Sequence, residues 1–303
     1  MNRYDLLVVL GPTASGKTRL GVCLARMLDG EIISVDSRQV YRGLNLASGK
    51  DLDEYSNLNP PVPYHLIDIA DVGAEYNLFA FLRDFHAAVA DIRGRGRLPV
   101  AVGGTGLYLD ALLRGYRLTE VPENSPLRQE LAGLSMEALR ERLLRVRPNL
   151  HNTTDLNDRD RCIRAIEIAE FERIHAPERQ EPLRALVVGI RLDRAVLKKR
   201  IAARLRERLE AGMVEEIEAV HAAGVSWERL EQLGLECRFV AQYLQGKIRN
   251  RNDLFQKLAS AIYQFARRQE SWFRRMEREG IVIHWTSGAD PETLQWALQE
   301  LGG

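Results

Sequence analysis

The sequence predicts an α/β fold in which a parallel β-sheet, flanked by helices, is interrupted by a helical insertion. Short apolar runs bounded by polar residues or glycine alternate with segments whose apolar residues recur at helical spacing. That alternation is typical of a parallel sheet with helices on both faces. The strand signal disappears between residues 122 and 182. We therefore predict a core of residues 1–121 and 183–303, split by a helical insertion domain of residues 122–182.

The elements can be placed in order from this pattern. Strands are predicted at residues 6–10, 32–35, 65–69, 98–102, 186–190 and 281–283. Helices are predicted at residues 78–93 and 107–113, and in the insertion at 127–134, 136–146 and 159–171. Residues 195–279 are predicted to be largely helical, followed by the last strand and a short helix. In parallel sheets, ligands bind beyond the carboxyl ends of the strands, so the loops there are the first candidates for a site.

A glycine-rich loop follows the first predicted strand. Residues 11–18, GPTASGKT, match the pattern G-x-x-x-x-G-K-T and lie between a strand and a helix, the context that the pattern requires. Such a loop surrounds phosphate oxygens with backbone N–H groups, and the helix start adds the positive end of its dipole. Lys17 would add a positive charge, and the Thr18 hydroxyl would be a ligand of Mg²⁺. The sequence thus predicts a P-loop NTPase-like fold that binds a polyphosphate.

Two more segments end predicted strands at the same edge of the sheet. Asp36 follows the strand at 32–35, where its carboxylate can act as a general base. A helix N-cap or a carboxylate near Mg²⁺ are alternative roles for it. Gly103-Gly104-Thr105-Gly106 follows the strand at 98–102, where glycine permits close approach of the backbone to a ligand. Thr105 can cap the next helix, or bind a phosphate or a base.

Arginine-rich helices follow the insertion. Arg200, Arg204 and Arg208 are spaced i, i+4, i+8 and share one face, which either contacts phosphate or is solvated. A later helix has arginines on one side and large apolar residues on another, and we predict that the apolar residues belong to the core. The arginines are Arg267, Arg274 and Arg278, and the apolar residues are Phe265, Trp272 and Met276.

Composition excludes several classes of protein. No apolar run approaches the roughly 20 residues of a membrane span, and no signal-peptide pattern is present, which predicts a cytoplasmic protein without a membrane partner. The cysteines, Cys23, Cys162 and Cys237, are odd in number and form no C-x-x-C pair, which argues against disulfides and zinc. The net charge is only +1, but Lys and Arg outnumber Asp and Glu between residues 140 and 208. This region is either a groove for a polyanion or a set of solvated helix surfaces.

Together these motifs resemble the tRNA dimethylallyltransferase family, also called tRNA isopentenyltransferases. The segments GPTASGKT, SVDSRQVYRG, VPYHLIDI and VGGTGLYLDALL occur in the order and spacing of that family, and NDRDRCIRAIE and ARRQESWF continue the resemblance. It implies transfer of a dimethylallyl group from its diphosphate to N6 of the adenine 3′-adjacent to the anticodon. The products would be N6-isopentenyladenosine and diphosphate. Mg²⁺ is the implied cofactor, and the tRNA anticodon stem-loop and dimethylallyl diphosphate are the implied partners of a monomer.

The resemblance also implies roles for individual residues. Asp36 would be the catalytic base, and Lys17 and Arg204 would stabilise the leaving diphosphate. The diphosphate-binding residues would be Gly11, Thr13, Ala14, Ser15, Gly16, Lys17 and Thr18, with Thr18 also the metal ligand. The tRNA-binding residues would be Asp36, Ser37, Arg38, Gln39, Thr105, Arg128, Asp160, Arg161 and Arg164.

Some positions depart from the family pattern. Ala47-Ser48-Gly49-Lys50 stands where G-T-A-K is usual and keeps the lysine, whereas Gly234-Leu235-Glu236-Cys237 replaces a glycine-tyrosine-lysine-glutamate signature. The pocket motifs are intact and the RNA-side motifs are altered, so a prenyltransferase acting on free adenine nucleotides is one alternative. A P-loop small-molecule kinase that binds ATP is another, although the DSRQ and GGTGLY motifs argue against it. A non-catalytic RNA-binding protein is a third, and the complete P-loop argues against that.

Overall fold

The computed structural model describes residues 4–57, 59–116, 118, 120–148, 156–175 and 183–302. The chain divides into two compact units. Unit 1 comprises Met1–Gly115 together with Pro182–Gly303, and unit 2 is Tyr116–Glu181. Unit 1 carries the sheet, and the elements described in unit 2 are helices.

The sheet of unit 1 has six parallel strands in the order β3-β2-β4-β1-β5-β6. The strands are β1 Leu6–Leu10, β2 Gly30–Val35, β3 Tyr64–His65, β4 Leu98–Gly103, β5 Ala185–Ile190 and β6 His284–Thr286. Strand β1 is central, with Leu7 opposite Val100 of β4 and Leu186 of β5. All five residues of β1 are buried, which explains its uninterrupted apolar sequence, since helices cover both faces of a parallel sheet.

Two predicted strands differ from those observed. The strand predicted at 65–69 ends at His65, because Leu66 and Asp68 adopt positive φ angles of 61° and 57°, which no strand accommodates. The last strand begins at His284 instead of at residue 281, although residues 281–283 are the more apolar segment. The position of this last strand follows from its parallel pairing with β5, in which Val188 lies opposite His284.

The helices follow the predicted order, with ends that differ by a few residues. In unit 1 they are α1 Lys17–Met27, α2 Asn45–Ser48, α3 Asp53–Ser56, α4 Leu78–Gly94 and α5 Gly106–Leu113. Unit 2 contains α6 Ser125–Ala132, α7 Met136–Val146 and α8 Arg159–Ile174. Unit 1 resumes with α9 Arg194–Glu210, α10 Met213–Ala222, α11 Trp227–Gln232, α12 Leu235–Leu244, α13 Arg251–Arg278 and α14 Pro291–Gly302.

Apolar clusters among the described residues hold these elements together. One packs β1 and its neighbours against α1, including Leu7, Val9 and Leu20. The second joins α9, α10, α12 and α13 below the loops that follow β2. The third lies within unit 2, where α6, α7 and α8 meet around Leu131 and Leu143. No helix among the described residues is long and apolar enough to cross a membrane.

Helix α13 corrects one prediction about the core. Its buried face contains Ile262, Ala266, Phe273 and Met276, whereas Phe265 is 37% exposed. Phe265 lies one residue before buried Ala266, and a step of one residue turns a helix by about 100°, so it points away from the core. Met276 is buried, as predicted.

Candidate active site

The glycine-rich loop connects β1 to α1, as its sequence predicts. Gly16 caps α1 with a φ of 96°, a conformation that favours glycine. The Ser15 side chain is 1% exposed, and its hydroxyl has no hydrogen-bond partner among the described residues. A buried hydroxyl without a protein partner is costly, and an anion in the loop is a natural acceptor for it. These features support a phosphate site at residues 11–18.

Lys17 lies at this loop, where both arginine and aspartate side chains act on its charge. Burial, together with the positive charge of Arg204, lowers the pKa of the Lys17 amine to about 8. The negative charges of Asp36 and Asp51 act in the opposite direction. An anion bound in the loop would favour the charged form of Lys17.

The arginine face of α9 turns towards this loop, so its side chains have partners within the protein. Arg200 donates to the Ser15 carbonyl oxygen at 3.0 Å, and Arg204 forms an ion pair with Asp51. Arg208 lies 3.9 Å from Asp51 and 3.7 Å from Glu236. Burial and the charge of Arg204 lower the pKa of Arg208 to about 10. Arg204, predicted to be catalytic, is thus held beside the loop by an internal carboxylate.

The segment that presents Asp51 is anchored by a buried lysine. The Lys50 ammonium is 0% exposed and contacts Asp68 at 2.5 Å, the Tyr41 carbonyl at 2.9 Å and Asn45 Oδ1 at 2.8 Å. Glu216 of α10 accepts backbone N–H bonds at the start of α2, from Asn45 and the two residues after it. The lysine that this chain shares with the family pattern is therefore structural here, since all three of its contacts are within the protein.

Asp36 lies at the end of β2 with one carboxylate oxygen already used. Its Oδ1 accepts hydrogen bonds from the backbone N–H groups of Arg38 at 2.8 Å and Gln39 at 3.4 Å. Residues 37–40 form a turn and not a helix, so Asp36 caps a turn here and the helix N-cap that the sequence left open is not observed. Oδ2 accepts no hydrogen bond from the part of the chain that the structure describes, so the same carboxylate can hold its turn and receive a proton.

The neighbouring predicted residues are tied to Asp36 and to the 45–51 segment. The Gln39 side chain accepts from Ser34 Oγ at 2.7 Å and donates to the Gly49 carbonyl at 2.9 Å. Arg38 contributes its backbone N–H to Asp36, and its side chain passes 3.6 Å from the position that a Cβ of Gly234 would occupy. The glycine of the altered family signature therefore still borders Arg38.

Thr105 lies opposite Asp36, on the loop after β4. It occupies the N-cap position of α5, but its hydroxyl makes no cap bond and instead accepts from the Ser37 N–H at 3.2 Å. The two loops can approach because Gly103 lacks a side chain, and a Cβ there would collide with the Val35 carbonyl. Asp36, Ser37 and Thr105, which the sequence predicted separately, are thus brought together at one edge of the sheet.

Three residues at this site were not predicted from the sequence: Asp51, Tyr55 and Gln269. The Tyr55 hydroxyl is hydrogen-bonded to Thr18, and burial raises its pKa. Gln269 of α13 accepts from the Thr13 N–H at 2.9 Å, so that N–H is already used within the protein. Gln269 had a usable signal, because it is a polar residue in the apolar stripe of an amphipathic helix. Asp51 and Tyr55 lie in a loop and a short helix, where no periodicity marks them.

In unit 2, the predicted RNA-binding residues separate into two groups. Arg128 and Arg164 both pair with Glu167, whose side chain is 1% exposed. Although burial raises the pKa of Glu167, hydrogen bonds from Arg128, the Asn124 N–H and Arg164 hold it below its usual value. Asp160 and Arg161 are exposed on the first turn of α8. Arg128 and Arg164 thus support the fold of unit 2 through Glu167.

The site also fits a Mg²⁺ ion of the P-loop type. No cluster of three or more His, Cys, Asp or Glu side chains suited to a metal occurs among the described residues. Mg²⁺ at a P-loop does not need one, since it takes one or two protein oxygens and completes its shell with phosphate and water. The Thr18 hydroxyl and the Asp36 carboxylate are oxygen groups of that kind. Cys23, Cys162 and Cys237 form no disulfide with one another.

Comparison with known proteins gives consistent matches. A family model described as IPP transferase matches residues 39–276. The tRNA dimethylallyltransferase 2 of Syntrophotalea carbinolica is 60% identical over 292 residues, covering 95% of this chain and 96% of the relative. The tRNA dimethylallyltransferase 1 of Geotalea uraniireducens is 59% identical over 297 residues, covering 98% and 97%. The crystal structure of tRNA isopentenylpyrophosphate transferase from Bacillus halodurans matches with a TM-score of 0.71 and 28% identity, covering 99% of this chain and 97% of that one.

Proposed function

The chain belongs to the IPP transferase family, the tRNA dimethylallyltransferases, and on that premise we propose which donor and which residues it uses to modify tRNA. Enzymes of this family transfer a dimethylallyl group to N6 of the adenine 3′-adjacent to the anticodon, and this chain is such a transferase. The donor that we propose is dimethylallyl diphosphate. One observation supports this assignment above all: the phosphate loop, Asp36 and Thr105 meet at the carboxyl ends of β1, β2 and β4.

Asp36 is the proposed general base. The exocyclic amine of adenine is a weak nucleophile because its lone pair is delocalised into the ring. A carboxylate that takes the amine proton as the new C–N bond forms lowers that barrier, an effect worth about 10²- to 10⁴-fold in general base catalysis. Two backbone N–H groups fix Oδ1 of Asp36, so Oδ2 keeps a constant orientation for the proton. The leaving diphosphate carries away the bonding electrons of the cleaved C–O bond.

The phosphate loop is the proposed site of the diphosphate. Negative charge grows on its oxygens as the C–O bond breaks, and groups already oriented towards that charge lower the barrier. Gly11, Thr13, Ala14, Ser15, Gly16, Lys17 and Thr18 are the proposed contacts, with Arg204 as an additional cation. Because the Thr13 N–H donates to Gln269, Thr13 would contact the diphosphate through its hydroxyl.

We include Mg²⁺ as the cofactor, held by Thr18 and the diphosphate with Asp36 nearby. When bound, it would neutralise part of the charge on the diphosphate. Removal of Mg²⁺ with a chelator is expected to abolish transfer.

The acceptor side is proposed to be the anticodon stem-loop. The target adenine must leave the base stack to reach Asp36, as is general for enzymes that act on bases. Ser37, Arg38, Gln39 and Thr105 would surround that base, and Arg128, Asp160, Arg161 and Arg164 of unit 2 would contact RNA. We propose that the enzyme acts as a monomer in the cytoplasm, the compartment that holds its tRNA substrate.

The test is a transfer assay with purified protein, Mg²⁺ and labelled dimethylallyl diphosphate. Unmodified tRNA and AMP are offered separately as acceptors, and a tRNA with the target adenine replaced is the control. Label in tRNA that is lost with this replacement supports the proposal. Label only in AMP identifies a nucleotide prenyltransferase, and phosphoryl transfer from ATP without prenyl transfer identifies a kinase.

A further inference from the structure

Gln269 connects the two halves of the active site through one buried side chain. It lies on α13 and is 5% exposed. Its Oε1 accepts from the Thr13 N–H of the phosphate loop at 2.9 Å, and its Nε2 donates to the Gly104 carbonyl on the loop after β4 at 2.8 Å. A buried amide with both ends bonded specifies one orientation, because any other leaves polar groups without partners.

The connection continues from Gly104 to the proposed base. Thr105 follows Gly104 in the chain, and its hydroxyl accepts from the Ser37 N–H at 3.2 Å. Ser37 in turn follows Asp36. Gln269 is therefore the side chain that links the loop of the diphosphate to the loops of the acceptor. Gly104 must be glycine for this, because a Cβ there would lie 2.5 Å from Gln269 Nε2.

We propose that Gln269 is a positioning residue that holds the phosphate loop in a fixed position relative to Asp36 and Thr105. This inference rests on the proposed function, in which the two loops hold the two reacting groups. In-line transfer needs the donor carbon and the amine at near-contact distance, and a misplacement of about 1 Å can cost about 100-fold in rate. Gln269 touches neither reacting group in this scheme, and acts through Thr13 and Gly104.

Two substitutions at Gln269 distinguish the contributions of its hydrogen bonds to Thr13 and to Gly104. Gln269→Leu has a similar size and removes both hydrogen bonds. Gln269→Glu keeps an acceptor for the Thr13 N–H but places a second oxygen against the Gly104 carbonyl. The control is Gln264→Leu, an exposed position on the same helix. Single-turnover transfer to tRNA is measured for each, together with KM for dimethylallyl diphosphate and deuterium exchange of the backbone amides of residues 11–18.

Gln269→Leu is expected to lower the single-turnover rate by about 10- to 100-fold with full amplitude and little change in KM. The Thr13 amide is expected to exchange faster in Gln269→Leu and to stay protected in Gln269→Glu, which should still lose transfer rate. Gln264→Leu should match the wild type in every measurement.

Three results would overturn the proposal. An unchanged rate in Gln269→Leu removes the positioning role. Lost amplitude at an unchanged rate shows that the residue only supports folding. Unchanged exchange at Thr13 shows that the bridge is not formed in solution. If the wild type transfers nothing to tRNA, the proposed function fails, and the exchange of Thr13 still decides whether Gln269 holds the loop.

Discussion

At Lys17, burial and the neighbouring Arg204 make the charge of a single side chain sensitive to pH. With its pKa lowered to about 8, the amine is half deprotonated at that pH in the ligand-free protein. A bound diphosphate favours the charged form and raises the pKa again. Because the protonated form binds better, affinity for dimethylallyl diphosphate should fall as pH rises above 8, and binding near pH 8 should take up about half a proton.

Calorimetry in two buffers of different ionisation enthalpy measures this proton uptake. Lys17→Met is the matched control, since the ligand's own titration remains and the contribution of the lysine is removed. Uptake that is the same in Lys17→Met and in the wild type would contradict the assignment of the shifted pKa to Lys17.

Asp36 allows a second test at the scale of one residue. Asp36→Asn keeps an oxygen that can accept from the Arg38 N–H, so the turn after β2 should persist. It removes the proton acceptor, and we expect transfer to fall about 10²- to 10⁴-fold while dimethylallyl diphosphate binds nearly as well. Single-turnover rates and equilibrium binding measure the two effects, and unchanged turnover would exclude Asp36 as the base.

At the scale of elements, the contact between α5 and α13 depends on Gly106. A Cβ at this position would collide with the indole of Trp272. Gly→Ala in a helix ordinarily stabilises by up to about 1 kcal/mol, but the collision should reverse the sign and cost about 1–3 kcal/mol. Urea unfolding of Gly106→Ala measures this free energy.

Gly94, the last residue of α4, is the matched control. A Cβ there meets no atom within 4 Å, so Gly94→Ala should be neutral or stabilising. The double variant Gly106→Ala, Trp272→Ala should recover part of the loss, because the added methyl then has space. If Gly106→Ala is as stable as the wild type, α5 and α13 are not in close contact in solution.

At the scale of the whole molecule, affinity for tRNA should depend steeply on salt, because each phosphate contact releases counterions. Arg161 is exposed on α8, and we expect Arg161→Gln to reduce the slope of log affinity against log salt by about 1. Filter binding over a series of KCl concentrations measures the slope.

Arg128→Gln should behave differently, because Arg128 pairs with the buried Glu167. Loss of its hydrogen bonds should destabilise the protein by about 1–3 kcal/mol, measured by urea unfolding. Equal stability of the Arg128→Gln and Arg161→Gln variants would show that the Glu167 network does not support unit 2.

The sequence by itself was sufficient for the parallel sheet, for the glycine-rich loop between β1 and α1, and for the helices α6, α7 and α8, because each rests on local periodicity or on a contiguous motif. It also placed Asp36 and Thr105 after two strands, which the rules of parallel sheets bring to one edge. Periodicity could not show that Leu66 and Asp68 end β3, since their φ angles depend on contacts outside the strand.

Only the tertiary structure determined which polar residues meet across the chain. Gln269 reaches Thr13 from 256 positions away, and Arg204 reaches Asp51 from 153 positions away. Lys50 and Asp51 are adjacent in sequence but have different partners. Lys50 is buried and pairs with Asp68, whereas Asp51 pairs with Arg204 of α9. Local periodicity identifies most helices and strands, whereas the partners of a buried polar group depend on how whole elements pack, and that packing assembled this candidate site.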